Sequence, residues 1–229
     1  MAAGKKNAAR LKAALVFIDE SGFLMAPYVR RSWAPKGATP VLYQCGRSHQ
    51  KVSAIAALCV SAERSTVRCY FRLHPAANIE TSRVLSFLRQ LSRQLKGKPF
   101  FVIWDRWQPH KAKAVRVFLY RPPAVGFVFL PSYAPELNPV EYVWNHLKTN
   151  PMANDPHREV GTLSATTRRH ARSLQWKEGL LRSFLKHSPF FCASDRTLFM
   201  QALIVWLTPS ASAAAPHTIA RGAVGCKRC

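Results

Sequence analysis

The order of strand-like and helix-like segments most limits how this chain can fold. Apolar or alternating runs rich in β-branched and aromatic residues predict strands, and they lie at 14–19, 52–60, 66–73, 100–104 and 125–130. Helical periodicity follows the third, fourth and fifth runs, at 79–96, around 109–120 and from Asn138-Pro139 onward. Three strands followed by helix, strand, helix, strand and helix predict an α/β sheet with helices on its faces.

Outside the predicted sheet and its helices, composition divides the chain into further segments. The predicted segments are a basic leader at 1–10, a hairpin or extended loop at 28–43, a polar, basic link at 151–172, an amphipathic helix near 173–187 inside a basic helical extension at 151–206, and a flexible tail at 207–229. The tail is assigned from its run of Ala, Ser, Pro and Gly.

Net charge narrows the class of partner. The chain has 34 Lys and Arg against 11 Asp and Glu, a formal charge of +23. Such an excess favours a polyanionic partner, with nucleic acid ahead of a membrane surface, and a ribosomal-type or merely soluble basic protein is the alternative. The 48% of apolar residues excludes a disordered basic tail. No apolar run approaches the ~20 residues of a membrane span, and the start of the chain lacks a secretory signal.

The cysteines favour a reducing compartment over a zinc site. Cys59 and Cys69 fall inside predicted strands, where a reduced thiol behaves as a small apolar side chain. Cys226 and Cys229 form one CxxC pair with no second pair to complete a zinc site. We therefore predict a cytoplasmic protein without zinc.

Three acids stand at the ends of predicted elements, where burial penalises a charge. Asp19 ends the first strand, Asp105 follows the fourth, and Glu141 opens the helix after the fifth. Carboxylates that converge in this way suit Mg²⁺ or Mn²⁺, which prefer oxygen ligands. Each acid also has a structural interpretation. Asp19 can begin a turn and Asp105 can cap a helix. Glu141 can complete a capping box whose N-cap is Asn138.

Longer motifs connect these acids to a known family. They read FIDESGF at 17–23, RRSWAPKGATP at 30–40, VIWDRWQPH at 102–110 and LPSYAPELNPVEYVWNHLK at 130–148. Together they resemble the catalytic domain of the mariner superfamily of DDE transposases, and most of all its bacterial branch named for insertion sequence 630. The resemblance implies a ribonuclease-H-like domain over residues 11–150, with three antiparallel strands and then two parallel strands in one mixed sheet.

The resemblance also implies the roles of the acids. Asp19, Asp105 and Glu141 correspond to the catalytic residues and would hold two Mg²⁺ or Mn²⁺ ions. The 35 residues between the last two agree with the family's spacing. Glu136 corresponds to an acid that is not catalytic and shapes the turn before the helix.

The implied function is DNA transposition. The family cleaves DNA at the ends of an insertion sequence and joins the freed 3′-hydroxyl to target DNA, commonly at TA. We therefore expect double-stranded DNA as partner, a homodimer on that DNA, and a bacterial cytoplasm where the protein associates with the nucleoid. The first predicted strand begins near residue 14. We therefore expect either that the family's helix-turn-helix domains belong to a separate half encoded in an overlapping frame or that this is a truncated copy. The residues expected to contact DNA are Arg30, Arg31, Lys36, Arg106, His110 and Lys148.

Arg106 departs from the family, whose members usually have Asn directly after the second catalytic Asp. A guanidinium beside Asp105 either competes with the metal or grips a phosphate. His110 matches the His that commonly ends this motif. It is equally consistent with a DNA contact and with an ordinary residue at the start of a helix. Two other functions therefore stay open: an inactive transposase that only binds DNA, and a stand-alone ribonuclease-H-type nuclease.

Overall fold

The computed structural model describes residues 12–26, 28–39, 41 and 50–189, which contain one five-stranded sheet flanked by helices. The strands are β1 (Ala14–Leu24), β2 (Lys51–Val60), β3 (Val67–Pro75), β4 (Phe100–Trp104) and β5 (Ala124–Phe129). Their order across the sheet is β3-β2-β1-β4-β5. The pairs β1–β2 and β2–β3 are antiparallel, and β1–β4 and β4–β5 are parallel. The predicted α/β fold with a mixed sheet is confirmed.

The helices after β3, β4 and β5 follow the predicted order, and the C-terminal part contains two helices where one was predicted. They are α1 (Thr81–Gln94), α2 (Gln108–Lys111), α3 (Lys113–Leu119), α4 (Pro139–Thr149), α5 (Val160–Gln175) and α6 (Glu178–His187). A short 3-10 turn, Pro135–Leu137, precedes α4. The single helix predicted around 109–120 is wrong, because Ala112 has an extended backbone (ψ 137°) that separates α2 from α3.

The predicted link at 151–172 is also wrong over most of its length, because α5 begins at Val160. The buried side of α5 includes Leu163, Thr167 and Ala171 at helical spacing. Thr and Ala carry little hydrophobic signal, so the sequence pattern hides this helix. The helix predicted near 173–187 is split at Trp176 and Lys177 into the end of α5 and the whole of α6.

Other predictions fall partly outside the described residues. Residues 28–39 contain no strand, so this part of the predicted hairpin or loop is an extended loop. The leader at 1–10, the chain from 190 onward with its tail, and the Cys226–Cys229 pair lie outside the described residues. Within the described part, no helix is long and apolar enough to cross a membrane.

The two faces of the sheet pack against different helices. Leu15 and Phe17 of β1 share one hydrophobic cluster with α4, α5 and α6. Val16 and Ile18 share the other cluster with α1 and α3. Neighbouring residues of a strand point to opposite faces, so a polar pair in β1 has one member on each face.

The strand cysteines are part of these clusters. Cys59 in β2 and Cys69 in β3 are buried free thiols. Burial raises the pKa of both, that of Cys69 to about 12. The prediction that they behave as small apolar side chains inside strands is confirmed.

Candidate catalytic site

Strand register brings Asp19 and Asp105 to the same level of the sheet. Phe17 of β1 pairs with Ile103 of the parallel neighbour β4, and each Asp lies two residues further along its chain. Asp19 does not begin a turn, because β1 continues past it to Leu24 and Asp19 itself pairs with Ala56 of β2. Asp19 therefore lies within β1, whereas Asp105 directly follows the last residue of β4.

Asn138 attaches the start of α4 to β1 beside Asp19. Its side chain is buried, and Nδ2 donates a hydrogen bond to the Ile18 carbonyl (3.0 Å), while Oδ1 accepts from the Val140 N–H (3.2 Å). The Asn138 N–H donates to the Pro135 carbonyl (2.9 Å), so it is not available for the capping box considered for Glu141. The predicted N-cap is confirmed, but the N–H that the capping box requires is already bonded elsewhere.

The carboxylates of Asp19, Asp105 and Glu141 line one cavity of about 570 Å³. Arg106 and Lys111 line it as well. Glu136 is exposed in the 3-10 turn and is not among the residues that line the cavity. The structure thus brings the three predicted site acids together and leaves Glu136 apart.

Negative charge accumulates around Asp19. Burial raises the pKa of Asp19 well above its ordinary value, and the charges of Glu141, Glu20 and Asp105 raise it further. One contact opposes this: the Trp144 indole Nε1–H donates to Asp19 Oδ2 (2.9 Å) and lowers the pKa. Burial also raises the pKa of Glu141. A group of acids whose charges hinder each other's ionisation in a cavity is typical of a functional site.

The side chain of His110 contacts the carboxylate of Asp105. The ring is completely buried and stacks on Trp104, with 4.0 Å between ring centroids. Its Nδ1 lies 2.8 Å from Asp105 Oδ1, and its Nε2 lies 3.1 Å from Glu20 Oε1. Burial lowers the pKa of His110, but the hydrogen bonds and charges of the two carboxylates outweigh burial and raise it to about 9. His110 is therefore an imidazolium that bridges two acids near neutral pH.

The pKa of Asp105 shifts in the opposite direction from that of His110. Burial raises its pKa, but hydrogen bonds from His110 and the Trp107 N–H, with the charges of His110 and Lys111, outweigh burial and lower the pKa. Helix α2 begins at Gln108 with Trp107 as N-cap, so Asp105 is not the helix cap considered from the sequence. Its Oδ1 instead accepts the Trp107 N–H (3.0 Å) in the turn before the helix.

Two groups of residues at this end of the sheet have the ligand types that metals use. Ligand atoms of Glu20, Asp105 and His110 all lie within 4.8 Å of one another. The same three side chains are joined by hydrogen bonds, since His110 contacts both carboxylates. The cavity with Asp19 and Glu141 offers three carboxylates, which are the ligands that Mg²⁺ and Mn²⁺ prefer.

The predicted DNA contacts of the loop after β1 lie away from this cavity. Arg31 and Lys36 are exposed there. Arg30 fastens the loop: its backbone N–H donates to Asn154 Oδ1 (2.8 Å), and its Nη1 donates to the Thr149 carbonyl at the end of α4 (3.0 Å). None of the three basic residues lines the carboxylate cavity. Their role as DNA contacts stays a prediction.

The other three predicted contacts differ in their exposure. Arg106 is exposed and lines the cavity. Lys148 is partly buried, and its Nζ donates to Ser21 Oγ (2.7 Å) and lies 5.6 Å from the Phe23 ring centroid. His110 is completely buried, which fits a helix-start residue and removes its ring from the surface that DNA would touch.

Glu20 and Trp144 belong to the site although the sequence does not single them out. Glu20 follows Asp19 in β1, and strand alternation sends its carboxylate to the other face, where His110 lies. Trp144 follows Glu141 by three residues, a spacing that places both on one side of a helix. That spacing was a usable signal for Trp144, whereas the Glu20–His110 contact joins residues 90 positions apart and has no local signature.

Comparison with known proteins identifies the family to which this chain belongs. Residues 14–164, more than half of the chain, match the family model described as DDE superfamily endonuclease. No curated protein matches the chain. Among solved structures, the chain is similar to the Mos1 mariner paired end complex with Mn (18% identity, TM-score 0.55), to that complex with Mg (19%, 0.55) and to the Mos1 strand transfer complex (18%, 0.54).

The structural alignments cover 80%, 80% and 82% of this chain and 58% of each Mos1 chain. The chain therefore spans less than two thirds of the length of these proteins. At such low identity the likeness shows the fold, which is the ribonuclease-H-like fold of transposase catalytic domains. By the match over residues 14–164, the chain belongs to the DDE superfamily endonucleases.

Proposed function

We propose that this chain is the catalytic part of a transposase of the bacterial branch named for insertion sequence 630. It cleaves DNA at the ends of the insertion sequence and joins the freed 3′-hydroxyl to target DNA, commonly at TA. The observation that carries the proposal is the meeting of Asp19, Asp105 and Glu141 at one cavity. A chain with charge +23 gathers three of its few acids at one cavity, where burial and like charge raise the pKa of Asp19 and of Glu141.

The residues present fit divalent metal ions. Asp19, Asp105 and Glu141 would hold Mg²⁺ or Mn²⁺, with two ions expected. All three donors are carboxylates, and a cation among them would relieve the repulsion that, after burial, raises the pKa of Asp19. When bound, such ions polarise a phosphate and stabilise the attacking and leaving oxygens of an in-line displacement.

The chain's own residues hold these ligands in place. Trp144 occupies Oδ2 of Asp19, and His110 with the Trp107 N–H occupies Oδ1 of Asp105. Each aspartate therefore keeps one oxygen outside those bonds. Asn138 fixes the first turn of α4 against β1, which sets the place from which Glu141 reaches the cavity. This support resembles the outer shell of contacts that orients metal ligands.

DNA is the partner in this proposal. The positive charge outside the cavity makes sequence-neutral contacts with phosphates. Helix-turn-helix domains recognise the element's ends. A separate half of the transposase, encoded in an overlapping frame, supplies these domains. The assembly acts as a homodimer on DNA in a bacterial cytoplasm, on the nucleoid.

A second candidate is an inactive transposase that only binds DNA, and the position of Arg106 favours it. Arg106 lines the cavity directly beside Asp105. A fixed cation there repels a divalent ion held by the same carboxylates. The same guanidinium can instead bind a DNA phosphate, in which case the site is active.

A cleavage assay separates these functions. Wild type, Glu141→Gln and the matched control Glu136→Gln are compared with Mg²⁺ on intact and nicked element-end DNA and on an RNA–DNA hybrid, with the N-terminal half supplied in trans. We expect wild type and Glu136→Gln to cut the DNA, and Glu141→Gln to bind it with nearly unchanged affinity but leave it uncut.

Three other outcomes of this assay would contradict the proposal or favour another function. Equal cleavage by Glu141→Gln removes this residue from the site. DNA binding without cleavage by any of the proteins identifies the inactive form. Cleavage of the RNA–DNA hybrid alone identifies a ribonuclease-H-type nuclease.

A further inference from the structure

A second cavity of about 570 Å³ lies at the end of the sheet opposite the carboxylate site. It is bordered by the start of β1, the turn between β2 and β3, and the turn that joins α1 to β4. Ala14 borders this cavity, and Asp19, in the same strand, borders the other. Five residues of strand at ~3.3 Å each place the two roughly 16 Å apart. We call it the distal cavity.

The distal cavity has the opposite charge from the carboxylate site. It is lined by Lys12, Arg68, Lys96 and Lys98, all exposed, and by a single acid, Glu63. The carboxylate cavity is lined by three acids and two cations. Within the described part of the chain, none of the four distal cations forms an ion pair with a carboxylate. Arg68 also forms a hydrogen bond with Tyr70, and its charge lowers the pKa of Glu178. The charges of Lys12, Lys96 and Lys98 are available to an anion from outside.

The chain's own ends are poor candidates for that anion. Residues 1–11 contain three Lys or Arg and no acid, and residues 190–229 contain four Lys or Arg against one acid, Asp195. Neither segment offers the negative charge that four exposed cations attract. An external polyanion complements the distal cavity better than any segment of this chain.

We propose that the distal cavity binds the phosphate backbone of duplex DNA, as a second contact separate from the carboxylate site. The inference rests on the proposed function, because it takes DNA as the polyanion that the chain handles. Hydroxyl groups of Ser65, Thr66 and Tyr70 in the lining add hydrogen-bonding groups of the kind that contact phosphate oxygens. The contact carries no base recognition, so it adds affinity without sequence preference.

Salt titrations of DNA binding test the proposal. The full chain, Lys96→Gln/Lys98→Gln and the matched control Lys177→Gln/Lys186→Gln are titrated by fluorescence anisotropy with one mixed-sequence duplex at several salt concentrations. All four lysines are exposed, and the control pair lines neither cavity. The slope of log K against log salt is negative, and each lost phosphate contact reduces its magnitude by about 0.9.

For Lys96→Gln/Lys98→Gln we expect the magnitude of the slope to fall by about 1.8 and the affinity at 0.1 M salt to fall by one to two orders of magnitude. Arg68→Gln, as a second variant, should reduce the magnitude of the slope by about 0.9. The control pair should keep the wild-type slope, and the melting temperatures of all variants should match wild type.

Three results overturn the proposal. The first is a wild-type slope for Lys96→Gln/Lys98→Gln on DNA that wild type binds. The second is an equal loss in the control pair, which means that any two charges matter equally. The third is an effect of the substitutions on binding to anionic phosphatidylserine vesicles but not on DNA. If wild type does not bind DNA at all, the proposed function fails first and this inference fails with it.

Discussion

Replacing His110 by Gln tests whether the imidazolium between Glu20 and Asp105 stabilises the fold. Folding raises the pKa of His110 from its ordinary 6.5 to about 9, which at 1.36 kcal/mol per pH unit corresponds to about 3 kcal/mol. The lowered pKa of Asp105 belongs to the same interaction and adds nothing to this figure. A proton bound more tightly in the folded state stabilises it fully below pH 6.5, and this stabilisation is lost as the pH rises through about 9.

The assay is denaturant unfolding of wild type and His110→Gln between pH 6 and pH 10, in a chelator so that no divalent ion is bound. We expect the variant to lose about 3 kcal/mol more at pH 6 than at pH 10. Lost stacking on Trp104 persists at every pH. His187→Gln, exposed at the end of α6, serves as the control. A loss in His110→Gln that stays constant over this range refutes the charged bridge and leaves packing alone.

Three further predictions concern the residues around the carboxylates. Asn138→Ala should lower the free energy of unfolding by about 2–4 kcal/mol, since two buried hydrogen bonds disappear. The control Asn145→Ala, on the exposed side of α4, should change it by less than about 0.5 kcal/mol. Similar losses for the two variants in chemical denaturation would contradict this prediction. Trp144→Phe removes the bond that lowers the pKa of Asp19, so the pH of half-maximal Mn²⁺ binding in calorimetry should move upward, and an unchanged midpoint would show that the bond is unimportant. Arg106→Asn should keep or raise the Mg²⁺-dependent cleavage rate, because a fixed positive charge disfavours a nearby cation; a much slower variant would identify Arg106 as a phosphate contact.

The sequence predicts the sheet and the meeting of the three acids at one cavity because both depend on local patterns. Apolar runs of the right length mark the strands, and the parallel pairing of β1 with β4 then brings Asp19 and Asp105 to one level. The Asn-Pro step marks the start of α4, which places Glu141 in its first turn. Only a motif of this kind separates Glu141 from Glu136, since both acids lie close together in the chain.

The contacts that support the acids are beyond local patterns. The Asn138 side chain bonds to the Ile18 carbonyl across 120 residues, and Trp144 bonds to Asp19 across 125. The length of β1 is also set by pairing with β2 as far as Lys51, because the polar stretch after Asp19 has no strand signature of its own. Such features depend on which elements the fold makes neighbours.

The site shows how a basic chain keeps three acids close together. Each acid has a different partner: Asp19 accepts the Trp144 N–H, Asp105 contacts the His110 imidazolium, and the charge of Lys148 lowers the pKa of Glu141 against burial. Of these partners only Trp144 is uncharged, and Asp19 is the acid whose pKa is raised furthest above its ordinary value. Burial is the largest cause of that rise, and the charges of Glu141, Glu20 and Asp105 add to it. A divalent cation in contact with Asp19 would offset this like charge and would stabilise the ionised carboxylate against burial.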